Sequence, residues 1–387
     1  MKNQWNSIAT IIFVATVVFQ QPLSVTYHRL KQSRFWIIPV LYFVWLAFSH
    51  FWDSSGGYRL RDIERYLILF FIPPAMAVAP FEMKKFVETA CMAFVGVTIA
   101  VCLLCLTKSY LEYTVSHDAR IFYYQYLSEQ AGLNAIFLSN FSLGSITWLL
   151  YYHFLYKKHS KGRNAIVIVA ICFLLFMIFL LSSKLLIFLT LLVLVIFVLM
   201  LGYVKGFFVR AIVITSLIVV AGVVAVSQMS YLKWRITSTE LKMYEGAADN
   251  QNGIAIRLYM WKTVADLIKE KPFMGYGIRG GRLETLGRYK SDGFEMGVQG
   301  DYHSHNQFLE SMLMAGIPAL LLLLGLMIGA ISEAIRSRNF LLMLIVFHFI
   351  CQSIIESTFE VQHELVFYIF FIFLFYYHGP KLRNAMP

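Results

Sequence analysis

Long apolar runs dominate the chain, separated by short polar joints. Eight of them lie near 7–22, 34–51, 66–81, 87–107, 134–155, 164–181, 185–204 and 208–228. A long polar stretch follows, and then three more runs near 306–332, 339–355 and 364–378. A bilayer core about 30 Å thick takes roughly 17–25 apolar residues of helix. The pattern therefore predicts an all-α polytopic membrane protein with about 11 transmembrane helices, in a range of about 10–12. No small-residue cleavage pattern follows the run 7–22, so it reads as a retained first span and not as a signal peptide.

Composition narrows the class. Of 387 residues, 59% are hydrophobic and 14% charged, with a mean hydropathy of +0.65. A soluble domain is about a quarter charged, so an ordinary cytosolic enzyme is excluded. The net charge of +11 admits a nucleic-acid surface, an anionic substrate site or the charge bias that orients membrane helices. With the C-terminus in the cytoplasm, the cytoplasmic joints hold 15 basic residues against Glu82, Glu88 and Glu333, and the opposite side holds 18 basic and 19 acidic residues. Orientation accounts for the excess, so no nucleic-acid partner is needed. The five cysteines, Cys91, Cys102, Cys105, Cys172 and Cys351, stand singly in apolar runs and read as small hydrophobes, with neither a disulfide framework nor a metal site expected.

Three parts follow from this reading: an N-terminal bundle over 1–228 with about 8 spans, a non-cytoplasmic lid over 229–305, and about 3 C-terminal spans with a short tail over 306–387. The lid is too poor in apolar residues to build a large core of its own. Within it, Ile256, Tyr259, Met260, Val264, Leu267 and Ile268 recur at helical spacing over 255–270, and Lys271-Pro272 stops that helix. Gly275, Gly277, Gly280 and Gly281 then read as a flexible turn. No strand precedes the GYGIRGG run and no GK[ST] follows it, so it is not read as a nucleotide loop.

Candidate chemistry gathers where the lid re-enters the membrane. Asp301-Tyr302-His303-Ser304-His305-Asn306 offers two imidazoles, and a free imidazole has a pKa of about 6.5, suited to general-base work. Their i, i+2 spacing does not share a helix face, and zinc needs three or four ligands, so a metal is not expected. Asn306 also suits a helix cap. Cations face the same compartment: Arg257 at the lid helix, Arg279 and Arg282 in the glycine segment, and Arg59, Arg61 and Arg65 before the third span. Lys184 sits in the tight LLSSKLL hairpin, where a charge either snorkels or meets an anion. Several cations converging on one face suit a phosphate. Glu310, just inside the ninth span, is an intramembrane carboxylate and so a functional candidate, whereas Glu356 and Glu360 read as interfacial and solvated.

The series GIAIRLYMW, KPFMGYG and HSHNQFLESMLMAGIPALL resembles the O-antigen ligase and O-antigen polymerase superfamily of bacterial envelope glycosyltransferases, over roughly 165–375. YRLRDIERYLILFFIP resembles the charged segment before a span in the ligase branch. The resemblance implies transfer of a glycan from undecaprenyl diphosphate at the periplasmic face of the bacterial inner membrane, without cofactor or metal, and with lipid A-core as acceptor. It puts the essential histidine on His305, with His303 the lesser choice, one arginine on Arg257, and a second arginine position on Lys184, where this chain departs from the pattern. His305 is then the general base in an inverting transfer. Arg257 and Lys184 hold the diphosphate, joined by Arg65 and Arg279, with Arg59, Arg61, His303, Asn306 and Glu310 as further substrate contacts. The ligase is favoured over a polymerase, which uses the same donor. A lipid-linked-sugar transporter is less favoured because the charges sit at one surface and no repeated halves are seen.

Overall fold

The structure, a computed structural model, describes residues 2–20, 22–56, 60–80, 83–156, 161–228 and 253–379. Each of the eleven apolar runs is helical over most of its length. The helices are α1 (Lys2–Phe19), α2 (Leu23–Gln32), α3 (Ile37–Phe48), α4 (Leu60–Glu64), α5 (Leu67–Val78), α6 (Met83–Ser116), α7 (Tyr124–Glu129), α8 (Ala135–Leu150), α9 (Lys161–Leu181), α10 (Lys184–Lys205) and α11 (Phe208–Gln228). The lid contributes α12 (Gly253–Glu270), α13 (Ile278–Ser291) and α14 (Glu295–Gln299), and the chain closes with α15 (Gln307–Arg336), α16 (Phe340–Ile355) and α17 (Gln362–His378). Arg59 and lid residues 229–252 lie outside the described residues.

Among the described residues, four helices are long and apolar enough to cross a membrane: Lys85–Ser116, Gly162–Leu181, Lys184–Lys205 and Gln307–Arg336. Ile8–Phe19 and Leu23–Gln32 meet at 104° and count together as one broken candidate. Ile37–Trp52, Phe208–Gly222 and Phe340–Ile355 are apolar but shorter. The protein is an integral membrane protein built of helices.

The helices group into two compact units that do not follow chain order. One takes α1–α5 and α12–α17, and the other takes α6–α11. In the second unit, α10 ends on Gly206 in the left-handed region, and α11 returns alongside α10. In the first, an asparagine starts each of two helices and ties it to the end of the next. Asn306 caps α15 by accepting from the Phe308 and Leu309 amides and donates to the Ile354 carbonyl, while Asn339 caps α16 and donates to the Phe375 carbonyl. Each side chain satisfies both a free amide end and a free carbonyl end.

What positions the lid is a break in α15. Ala315 and Gly316 leave helical geometry (Gly316 φ +69°) and Pro318 follows, so several backbone groups lose their helical partners. Lid segment 272–277 supplies replacements. The Tyr276 amide donates to the Leu313 carbonyl at 2.8 Å and the Gly277 amide to the Met314 carbonyl at 2.8 Å. The Ile317 amide donates to the Pro272 carbonyl at 3.0 Å, and Trp45 Nε1 donates to the Ala315 carbonyl. On the segment's other side, Trp52 Nε1 donates to the Met274 carbonyl and the Ser54 amide to the Tyr276 carbonyl. Irregular backbone at a membrane helix is tolerated where protein satisfies it in this way.

This corrects the reading of the glycines as a flexible turn. A Cβ on Gly316 would lie 2.1 Å from the Phe273 carbonyl oxygen, and one on Gly275 (φ +66°) would lie 2.6 Å from that of Leu313. Gly280 and Gly281 are inside α13. The glycines allow a rigid close approach, because no side chain fits between the two backbones.

Two small cores stiffen the lid. Val264, Leu267, Ile268 and Tyr276 pack with Leu313, and Ile256, Met260, Tyr289 and Phe294 form the other. The apolar stripe read over 255–270 is the face that fills both.

Candidate active site

The turn between α14 and α15 is held in an unusual backbone conformation. Asp301 and His305 both have positive φ, +50° and +47°, which is uncommon for residues with a Cβ and costs about 1–3 kcal/mol each. Side chains beneath the turn hold it there. Glu310, buried in the first turn of α15, accepts from the Ser304 amide at 3.1 Å and from Ser304 Oγ at 2.5 Å. The Asn306 amide donates to Ser357 Oγ at 3.1 Å. The strain is localised where His305 leaves the turn, a place where strained backbone commonly serves function.

His305 points at a carboxylate. Its Nδ1 lies 2.8 Å from Glu356 Oε2, and the other oxygen, Oε1, lies 2.8 Å from Nη2 of Arg257. Glu356 is the C-cap of α16 and its side chain is only 6% exposed, against 24% for His305 and 27% for Arg257. Burial alone would raise its carboxyl, but His305, by charge and hydrogen bond, and Arg257 outweigh burial and hold it down at about 2. An ionised Glu356 accepts only, so the Nδ1 facing it carries a proton, and Nε2 is the nitrogen left to exchange one. That is the arrangement of an oriented general base.

Behind it stands His303, whose Nδ1 accepts from the His305 amide at 3.2 Å, with the two rings 4.3 Å apart. Burial, then the neighbouring His305, push its imidazole down to about 3. His303 is therefore neutral across the physiological range.

A second arginine–carboxylate pair lies four residues along. Arg65 Nη1 is 3.2 Å from Glu360 Oε2 and donates to the Glu360 carbonyl at 2.7 Å. The hydroxyl of buried Tyr66 donates to Glu360 Oε1. Arg282 and Arg65 add their positive charge to the burial and the His305 neighbour that keep His303 uncharged. The reading of Glu356 and Glu360 as solvated is thus corrected: Glu356 is buried and the Glu360 side chain is only 14% exposed, each compensated by an arginine.

The other predicted site residues are more scattered. Arg282 pairs with Asp301 at 2.8 Å. Arg279 donates its backbone amide to Asp53 at 3.0 Å, and Arg61 is exposed on α4. Asn306 is occupied as cap and tie, and Glu310 as the brace under the turn. Lys184 begins α10, in the second unit. Among the described residues no three His, Cys, Asp or Glu side chains are grouped as metal ligands would be.

Residues 159–324 match the family model described as O-antigen ligase. The match covers less than half of the chain and supports its resemblance to the O-antigen ligase and polymerase superfamily. The matched segment contains Lys184, Arg257, Arg279, His303, His305, Asn306 and Glu310, whereas Arg65, Glu356 and Glu360 fall outside it. No curated protein matches the chain. The matched family supports an activity of the O-antigen ligase or polymerase type in a membrane context.

Proposed function

We propose that the protein is an O-antigen ligase that moves polysaccharide from undecaprenyl diphosphate to lipid A-core. In this reading the chain crosses the inner membrane eleven times, with the lid in the periplasm and the C-terminus in the cytoplasm. The observation that carries the chemistry is the chain of contacts Arg257–Glu356–His305.

Glu356 holds His305 so that Nε2 takes the proton from an acceptor sugar hydroxyl. The freed oxygen attacks the anomeric carbon from the face opposite the diphosphate, the carbon–oxygen bond to undecaprenyl diphosphate breaks, and the configuration inverts. Arg257 faces the charge that develops on the departing diphosphate, with Arg65 as the second cation nearby. The diphosphate is already a good leaving group, so the residues named supply the proton transfer and the charge. Lys184 enters this reading through the family resemblance alone.

Purified full-length protein supplied with undecaprenyl-diphosphate glycan and lipid A-core tests the reading directly. Wild type should form glycosylated lipid A-core, and His305→Ala should lose on the order of 10²–10⁴-fold in turnover while still binding donor. Product formed only when a second lipid-linked repeat replaces lipid A-core would make the protein a polymerase. Full transfer by His305→Ala would remove the histidine from the mechanism.

A further inference from the structure

Arg257 has a donor that the His305 relay does not use. Its Nη2 is on Glu356, but its Nε–H is buried and has no hydrogen-bond partner among the described residues. Four residues along α12, the indole Nε1–H of Trp261 is likewise buried and unpartnered among the described residues. Residues at i and i+4 stand one above the other on a helix face. The same stripe continues through Val264 and Ile268, which pack with Leu309, Met312 and Leu313 of α15. Trp261 is therefore bracketed between an arginine tied to Glu356 and side chains seated on the first turns of α15.

A buried N–H without an acceptor is destabilising, and each one calls for an explanation. Guanidinium and indole nitrogens donate and do not accept, so the group that satisfies both must present acceptor oxygens. We propose that Trp261 is a substrate-binding residue whose Nε1–H, with the Nε–H of Arg257, takes oxygens of the donor's diphosphate. This rests on the reading of the donor as a lipid diphosphate. The charge of Arg257 is shared with Glu356, and a neutral, directional donor adds grip on the phosphoryl oxygens without changing the charge around His305.

The test uses the full-length protein in lipid nanodiscs. Trp261→Phe keeps an aromatic ring and removes the N–H, and Trp261→3-benzothienylalanine does the same at unchanged shape should the phenylalanine variant fail to fold. Calorimetric binding of undecaprenyl diphosphate and of inorganic pyrophosphate is measured for each, with thermal unfolding as control. The expected result is affinity for both ligands weakened about 10-fold, with unliganded unfolding close to wild type. Wild-type affinity in either folded variant overturns the proposal and leaves the function reading standing. Loss for undecaprenyl diphosphate without loss for pyrophosphate also overturns it, since Trp261 then contacts the lipid. A wild-type protein that binds neither ligand overturns the diphosphate reading itself, and the proposal with it.

Discussion

Two arginine–glutamate pairs, their carboxylates four residues apart, do different things because of what occupies each carboxylate's second oxygen. Glu356 carries Arg257 on one oxygen and His305 on the other, and Glu360 carries Arg65 and Tyr66. An imidazole can take a proton near neutral pH, whereas a tyrosine hydroxyl bonded to a carboxylate already donates its own. The pairs also differ in what they join. Arg257 is on α12 and reaches across to the end of α16, while Arg65 sits in the turn between α4 and α5. The first pair therefore depends on where the lid is held and supplies a base, and the second supplies fixed charge.

The sharpest way to break this distinction is to neutralise each carboxylate in turn. Glu356→Gln removes the charge that fixes the His305 tautomer and should lower turnover by on the order of 10²-fold or more. Glu360→Gln leaves His305 and Glu356 in contact, and its effect on turnover should stay below about 10-fold. Comparable losses in the two, read from product formation at saturating donor, would erase the distinction between them.

The lid's seating offers a second test, without touching any charge. Gly316→Ala places a methyl against the Phe273 carbonyl at a backbone φ of +69°, so the clasp between 272–277 and the broken α15 must open. Stability should fall by at least about 2 kcal/mol. Arg257 should be displaced from Glu356 while Arg65 stays on Glu360, so proteolysis within 253–305 should speed up well before the bundle helices are cut. Unchanged cleavage of the lid would show that the clasp does not seat Arg257.

The contrast also explains what was legible beforehand. Apolar runs mark helices because each must satisfy its backbone internally in lipid, so all eleven are found as helices, and the stripe from Ile256 to Ile268 marks the packed face of α12. His305 and Arg257 stood out as polar groups at special points of that pattern. Glu356 did not, because a carboxylate at a helix end looks solvated until the arginine 99 residues away is placed beside it. The glycines of 275–281 were misread for a related reason: Gly275 is required by two backbones meeting in space, and a local run of glycine looks the same in a mobile turn. Asn306 looked like a substrate contact or a cap, and in the fold its amide and carbonyl are both used to join α15 to α16.

The smallest expected effect separates the two histidines by pH. His303 is held at about 3 in the folded protein, against 6.5 for a free imidazole. Below pH 6.5 the unfolded chain takes up a proton that folded His303 refuses, so its contribution to stability is complete above 6.5 and is lost as pH falls toward about 3. Glu356, held at about 2 against 4.5, contributes stability above 4.5 that is lost between 4.5 and about 2. The two windows overlap only below 4.5. His303→Gln should therefore flatten the fall of Tm between pH 6.5 and 4.5 relative to wild type, and Glu356→Gln should leave that window alone and change the curve only below it. If His303→Gln follows the wild-type curve from 6.5 to 4.5, then His303 is not buried neutral behind His305, and its ring is free to share the proton that the mechanism assigns to His305 alone.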